Sequence, residues 1–372
     1  MRKVQAMVTG LGGGGHGEQI FKALRMASTP YAIVGGDMSV LSKGLLEADH
    51  AYVLPPASDP SYVDTLLAVC EKHCVEVLFH GSEPELRVMS KNRKAFQDTH
   101  VFLPINPEYV IDMCMDKART MRWLKEKGFE CPTTIPVSNA EDLEGVDFAP
   151  AVLKPSIGGG GSANTYLAQT REDLVALGKH LLATHSKFIV QEYVGTPDCE
   201  YTVGVLTDMD GNLLNSIGVR RMIMSGLSNR IKVPNRTRNQ KLGPVLAVSS
   251  GISQGEIGPF PDVTGPCEEI ATSLGCRGAV NIQCRFVDGK VFVFEINPRF
   301  SGTTSLRAMV GYNEPDVLVR KHVLGQRVKS RFKYRSGYIM RGLVETYVRR
   351  TDIPVATDLL TGKKRAQGSV QH

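Results

Sequence analysis

Two runs of four consecutive glycines, at residues 12–15 and 158–161, constrain this 372-residue chain more than any other feature. Such a run cannot sit inside a helix or a strand without a large entropic cost, so both must be loops. The first follows a short apolar strand at 4–9 and opens a helix at about 17–26. The second follows an apolar run at 151–154 and leads into another strand-like run at 165–168. One run therefore marks a strand-to-helix turn and the other a flap between two strands.

The stretches around them differ in the same way. Strand-like runs at 31–34, 51–54 and 75–80 alternate with a helical pattern at 62–73. This β-α-β order predicts a small parallel sheet with helices on its faces. Residues 116–127 read as a mixed-charge helix stopped by Gly128, 131–136 as extended chain and 138–150 as a polar connection. Strand patterns then recur at 188–193, 201–207, 213–219, 279–287 and 291–297, with helices at 172–184 and 266–274. Close turns such as D-M-D-G predict mostly antiparallel pairing there. Boundaries are expected near 110, 190 and 330, with a basic extension at 331–372.

Apolar residues make up 42% of the chain and charged residues 22%, a globular balance that excludes disorder. The net charge of +6 is modest and suits an anionic small molecule. No apolar run approaches the roughly 18 residues that span a bilayer, so a cytoplasmic protein is expected. The eight cysteines are scattered and suggest no disulfide framework. Cys70 and Cys74 flank His73 on a helical pattern. Ordinary packing outweighs metal binding there, since no second ligand pair follows.

The first glycine run satisfies G-x-G-x-x-G from Gly10 to Gly15, and Asp37 ends the next strand, as in a dinucleotide fingerprint. Six glycines in eight residues meet that pattern almost regardless of purpose. A ligand-free turn and an anion site at a helix N-terminus compete with it. The second run lacks the Gly-Lys-Ser/Thr of a phosphate loop opening a helix. As a flap, its backbone N–H groups can instead close over phosphates, with Lys154 at the base as a fixed charge.

The segment N-I-Q-C-R-F-V-D-G-K-V-F-V-F-E-I-N-P-R, residues 281–299, reads as a hairpin. A three-residue loop at Asp288, Gly289 and Lys290 would set Val287 against Val291, Gln283 against Glu295 and Asn281 against Asn297. Ile282, Cys284, Phe286, Phe292, Phe294 and Ile296 would then share the opposite, apolar face, whereas a two-residue loop would mix the faces. A carboxylate beside amide oxygens suits a hard cation such as Mg²⁺ shared with phosphates, and Arg299 could reach the same phosphates.

Taken in order, M-D-K-A-R at Lys117, Lys154 with its flap, Q-E-Y-V at 191–194, E-Y-T-V at Glu200, and N-x-Q before E-I-N-P-R resemble the ATP-grasp superfamily. The branch is the one similar to the large subunit of carbamoyl-phosphate synthetase and related carboxylate–amine ligases. The resemblance implies a Rossmann-like N-terminal sheet followed by a two-subdomain ATP-grasp fold, over residues 1–110, 111–190 and 191–330. It implies ATP phosphates on Lys117, Lys154 and the flap glycines Gly158, Gly159, Gly160 and Gly161. Gln191, Glu192 and the backbone of Val194 would line the adenine slot and Glu200 would bind the ribose. Gln283, Glu295 and Asn297 would hold one or two Mg²⁺ ions, with Mn²⁺ able to substitute, and Arg299 would act with Lys154 in catalysis. Gln283 stands where many relatives carry a second acid.

The implied reaction is ADP-forming, through an acyl phosphate, with a small-molecule carboxylate and an amine as partners. A homodimer is compatible with it; membrane and nucleic-acid partners are not expected. The acceptor side is expected near Arg299, Ser301 and Arg307, with a helix starting at Thr304. An NAD-dependent oxidoreductase using the first glycine loop, or a nucleotide sensor that kept the fold, are the competing functions. The basic residues Arg220, Arg221 and those at 230–241 fit either a phosphate contact or a solvated loop.

Overall fold

A computed structural model describes residues 2–158 and 162–349. Its first part is β1 (Val4–Thr9), α1 (His16–Arg25), β2 (Tyr31–Asp37), α2 (Lys43–Glu47), β3 (His50–Val53), α3 (Tyr62–Lys72) and β4 (Val77–Phe79). The four strands form a parallel sheet in the order β3-β2-β1-β4. Helices α4 (Glu83–Lys91), α5 (Arg93–Asp98), α6 (Glu108–Cys114) and α7 (Lys117–Glu126) follow. Local chemistry sets their starts: Ser82 accepts a hydrogen bond from the Glu85 amide, and Asp116 accepts from the amides of Ala118 and Arg119.

A second, antiparallel sheet is built from β5 (Thr134–Val137), β6 (Ala151–Pro155), β7 (Tyr166–Ala168) and β8 (Phe188–Glu192), with α8 (Arg171–Leu182) packed on it. Its order is β5-β8-β6-β7. The third sheet uses β9 (Glu200–Thr207), β10 (Leu213–Arg221), β13 (Gly255–Gly258), β14 (Ala279–Val287), β15 (Lys290–Asn297) and β16 (Gly337–Ile339). It is ordered β15-β14-β9-β10-β13-β16 and is antiparallel throughout. Between β10 and β13 the chain leaves the sheet to make a separate hairpin of β11 (Asn229–Pro234) and β12 (Val245–Ser249). Helix α9 (Pro261–Ser273) covers one face, and α10 (Thr304–Met309) and α11 (Glu314–His322) follow the last hairpin. The fold is thus mixed α/β, parallel first and antiparallel afterwards, as the sequence predicts.

Some elements differ from the sequence reading. Helix α9 starts at Pro261 rather than Pro266 and carries Pro266 inside it. Proline at a first turn loses no hydrogen bond, so Pro261 is the better start signal. The basic stretch at 230–241 holds strand β11, on which Arg230 and Lys232 are exposed while Ile231 and Val233 are partly covered. Cys70 is buried with its Sγ 3.9 Å from Met7 Sδ, and Cys74 is exposed. Among the described residues no three His, Cys, Asp or Glu side chains gather as a metal set. No helix among them is long and apolar enough to cross a membrane.

One continuous core joins the parallel sheet to helices α10 and α11. Ile20, Phe21 and Leu24 of α1 pack in the same cluster as Leu306, Val317 and Leu318. Each such side chain contributes roughly 1.5–3 kcal/mol. Polar contacts follow the same seam. Tyr31 donates to Asp316 at 2.8 Å, Asn313 donates to the Ala23 carbonyl at 2.7 Å, and Ser305 donates to Gln19. Arg341, just after β16, donates to Gln19 at 2.5 Å and to the Gly302 carbonyl at 3.0 Å.

The start of α1 lies hard against the carboxyl end of β1. A Cβ on Gly17 would stand 2.2 Å from the Thr9 carbonyl oxygen and 2.5 Å from that of Gly10. Both obstacles are backbone and cannot swing aside. Gly17→Ala is therefore expected to cost about 3 kcal/mol or more in urea unfolding. Gly145→Ala, whose Cβ would meet only Asp142 O at 3.7 Å, should unfold within about 0.5 kcal/mol of wild type.

Candidate active site

The hairpin β14–β15 sets the site. Asn281 pairs with Asn297 and Gln283 with Glu295, as the apolar pattern predicts. The route to that register is different. Asp288 and Gly289 have φ of 49° and 77°, a two-residue type I′ turn, and Val287 pairs with Lys290 rather than Val291. The register then shifts between Gln283 and Cys284, where Phe294 is the extra residue of a bulge. The bulge restores the polar pairs and reassigns the faces. Val291, Val293 and Ile296 join Ile282 and Cys284 in the core. Phe292 and Phe294, expected in that core, instead border the cleft with Gln283, Arg285 and Glu295.

That cleft opens to solvent between the second and third sheets. Lys117, Lys154, Gly158, Gln191, Glu192, Val194, Glu200, Gln283 and Glu295 all line it. Gly159, Gly160 and Gly161 lie outside the described residues. The flap base is clipped to α7: Lys117 N donates to the Ser156 carbonyl at 2.8 Å, and Ser156 Oγ donates to Asp116 at 2.6 Å. Lys117 Nζ reaches the Gly158 carbonyl at 2.8 Å.

Electrostatics tie these groups together. Lys154 is buried, with Nζ donating to the Phe294 carbonyl at 3.2 Å. Burial chiefly, and then Lys117, pull its pKa down to about 8 against the opposing pull of Glu295. Burial would raise the Glu295 carboxyl, but Lys117, Lys154, the Asn297 amide and Arg299 hold it below the usual carboxylate range. The Asn297 amide donates to Glu295 at 3.1 Å.

At the far wall Glu200 is 2% exposed and sits between two arginines. Arg221 Nη1 is 3.1 Å from Glu200 Oε1, and Arg285 Nη2 is 3.3 Å from Oε2. Arg285 also donates to the carbonyls of Val194 at 2.9 Å and Ala247 at 3.0 Å, and lies 4.3 Å above the Tyr193 ring. Sequence reasoning missed Arg285. Its signal was the shared alternation with Asn281 and Gln283, which puts it on the polar face of the same strand. Of the basic run, Arg221 is thus internal, and Arg220 is exposed with its Nε on the Asp198 carbonyl.

A second, smaller pocket adjoins the cleft. Lys117, Gly158 and Glu295 border both cavities; Asn297, Arg299 and Glu83 of α4 border the smaller one. Arg299 Nη2 donates to Glu83 and to Asn297 Oδ1, each at 3.1 Å. Ser301 is buried and hydrogen-bonded to Thr303 and Thr304. Helix α10 does start at Thr304, but Arg307 is only 1% exposed and does not line the smaller pocket with Arg299. Its guanidinium is spent on buried Glu314 at 3.0 Å and on Asn281 at 2.6 Å. In the first glycine loop, Asp37 accepts from the Gly12 amide at 2.8 Å, so the acid of the apparent fingerprint closes the loop on itself.

The family model for the ATP-grasp domain matches residues 114–303, and the model for the PylC-like N-terminal domain matches residues 10–103. The chain belongs to the ATP-grasp family. It is 23% identical over 300 residues to a carbamoyl phosphate synthase large chain of Thermoplasma acidophilum, covering 78% of this chain and 27% of that one. The chain therefore spans about a quarter of the length of the carbamoyl phosphate synthase chains it matches. Among solved structures it resembles an ADP complex of N5-carboxyaminoimidazole ribonucleotide synthetase, with TM-score 0.61, 16% identity and 86% and 76% of the two chains covered. It also resembles an L-amino acid ligase from Bacillus licheniformis, with TM-score 0.59, 14% identity and coverage of 86% and 74%. These structural likenesses concern the fold.

Under Arg299 lies a buried histidine pair, His16 Nε2 and His80 Nδ1, 3.3 Å apart. Burial, then Arg299, push His80 down to about 3; burial, Arg299 and His80 lower His16 likewise. A depressed histidine stays neutral when folded but takes a proton when unfolded below pH 6.5, so the fold loses stability as pH falls through that range. His80 alone is expected to remove about 1.4 kcal/mol between pH 7.5 and 5.5. Urea unfolding at the two pH values, compared with His80→Asn, checks this: the variant's loss on acidification should be smaller.

Proposed function

We propose that this chain is an ATP- and Mg²⁺-dependent ligase that activates a carboxylate as an acyl phosphate, releases ADP and passes the acyl group to an amine. The observation that carries the reading is the position of Glu295 with Lys117 and Gly158 on the border of both cavities. A nucleotide in the larger cleft would present its γ-phosphate at that border, to a carboxylate in the smaller one. Reactants held so close gain most of what positioning can give.

The donor set fits Mg²⁺. One carboxylate and the amide oxygen of Gln283 are too few for an all-protein cage, and Mg²⁺ commonly binds through one or two carboxylates plus substrate phosphates. Glu295, Gln283 and Asn297 would hold the ion, which supplies charge neutralisation to the transferred phosphoryl group. Lys117, Lys154 and the flap would hold phosphate oxygens. Gln191, Glu192 and Val194 would face the base, and Glu200 the ribose. Arg299 would meet the developing charge from the other side. A carboxylate oxygen bonds to the γ-phosphorus as its bond to the β-phosphate oxygen breaks, and ADP leaves. The amine nitrogen then bonds to the acyl carbon, the carbon–oxygen bond to phosphate breaks, and the amine proton is lost to solvent.

Chromatography of the products is expected to give ADP and inorganic phosphate in equal amounts; AMP with pyrophosphate would overturn the assignment. Glu295→Gln keeps the shape but removes the charge. It should lower turnover by about 100-fold or more, with the folded state retained by circular dichroism. Turnover near wild type in the folded variant would exclude Glu295 from the metal.

A further inference from the structure

The smaller pocket contains a charge that a site built only for a carboxylate and a phosphate would not want. Glu83 and Glu295 face Lys117 and Arg299 across it. Glu295 is accounted for by the metal. Glu83 is not, because a second negative charge there repels both anionic reactants.

A structural role would be the simplest account, since acids suit the first turn of a helix. Its neighbour Glu85 already fills that role. Glu85 accepts from the Gly81 amide, Ser82 Oγ and Tyr62 OH, all inside the protein. Glu83 turns the other way, to the pocket wall. Its side chain is 26% exposed, and one oxygen, Oε1, takes the 3.1 Å bond from Arg299. The other, Oε2, takes no hydrogen bond among the described residues. A carboxylate can accept about four hydrogen bonds, so Glu83 offers most of its capacity to the pocket.

We propose that the smaller pocket binds an α-amino acid in zwitterionic form, with Glu83 holding the ammonium group and Arg299 the carboxylate. This rests on the ligase reading above and names its substrate class. An α-amino acid carries opposite charges about 3 Å apart, and the Glu83–Arg299 pair presents the complementary charges at the same spacing. A zwitterion laid against the pair satisfies both without leaving a buried charge unmatched. Leu86 and Met115 supply an apolar wall for the side chain. The arrangement also selects which group reacts. The carboxylate lies toward Lys117 and Glu295, at the border with the larger cleft, and becomes the acyl phosphate. The ammonium, held protonated on Glu83, has no lone pair and does not attack that acyl carbon. The nucleophile is therefore the amine of a second molecule, which displaces phosphate and loses a proton.

Matched pairs test this: L-alanine against propionate, L-leucine against 4-methylpentanoate, and the D-amino acids. ADP release is followed with hydroxylamine present, which captures an acyl phosphate as its hydroxamate. Binding is measured separately by calorimetry with Mg²⁺ and a non-hydrolysable ATP analogue. At least one amino acid should exceed its des-amino partner in kcat/KM and in affinity by about tenfold or more, as expected of a hydrogen bond between charged groups. Glu83→Gln should erase that preference while leaving the KM for ATP within about twofold of wild type. Equal use of both partners by wild type, or an equal loss for both in Glu83→Gln, overturns the inference and leaves the ligase reading standing. Glu83-dependent amino-acid binding without ADP release keeps the site and removes the ligase reading. If Glu83→Gln does not fold by thermal melting, Glu83→Asp and the wild-type preference decide.

Discussion

Glu200 between Arg221 and Arg285 is the interaction on which the cleft depends. The three side chains come from β9, β10 and β14, neighbouring strands of one sheet. Arg285 extends the group to the Val194 carbonyl, where the chain passes from the second sheet to the third, and to Ala247 on the β11–β12 hairpin. Arg221 completes it through Ser249 Oγ and the Ser250 carbonyl. Three buried charges are costly, and such a group stabilises only when its hydrogen bonds are nearly complete. Here the carboxylate is held from both sides and both guanidinium groups reach carbonyls. The result is a rigid back wall against which the linker at Val194, the Glu200 carboxylate and the inserted hairpin keep fixed positions.

Much of the fold was legible in the sequence because its signals are local. The boundaries of β1, α1, β9, β14 and β15 follow from alternation, glycine and turn residues within a few positions. The short strands β13 and β16 were not legible. Each has three or four residues, and β16 exists only because β13 offers an open edge 80 residues earlier in the chain. A tertiary partner decides such elements, and no window of sequence contains it.

The hairpin at 281–297 is the more instructive case. The apolar pattern selected the right polar pairs, Gln283 with Glu295 and Asn281 with Asn297, through a wrong turn. Asp-Gly favours a two-residue loop, and the extra residue reappears as the bulge at Phe294. Alternation reports which residues are paired at the open end; it does not report a bulge that swaps faces part-way. Phe292 and Phe294 were therefore misplaced while the polar residues were not. Glu83 was missed for a different reason. Its importance lies in facing Arg299 across 216 residues of chain, and nothing around S-E-P-E-L marks it.

The seam that α1 and β2 make with helices α10 and α11 has a bearing on how the protein is made. Gln19, Ala23 and Tyr31 find their partners in Ser305, Asn313 and Asp316, 285 to 290 positions later. The parallel sheet emerges from the ribosome early, yet the surface of α1 that faces α10 and α11 stays uncovered until those helices are synthesised. At about 5–20 residues per second the wait is roughly 15–60 s. Throughout it an apolar helix face is open to other chains. The nascent protein is thus exposed to misassociation at this helix face, and a ribosome stalled before residue 300 would leave the parallel sheet without its cover.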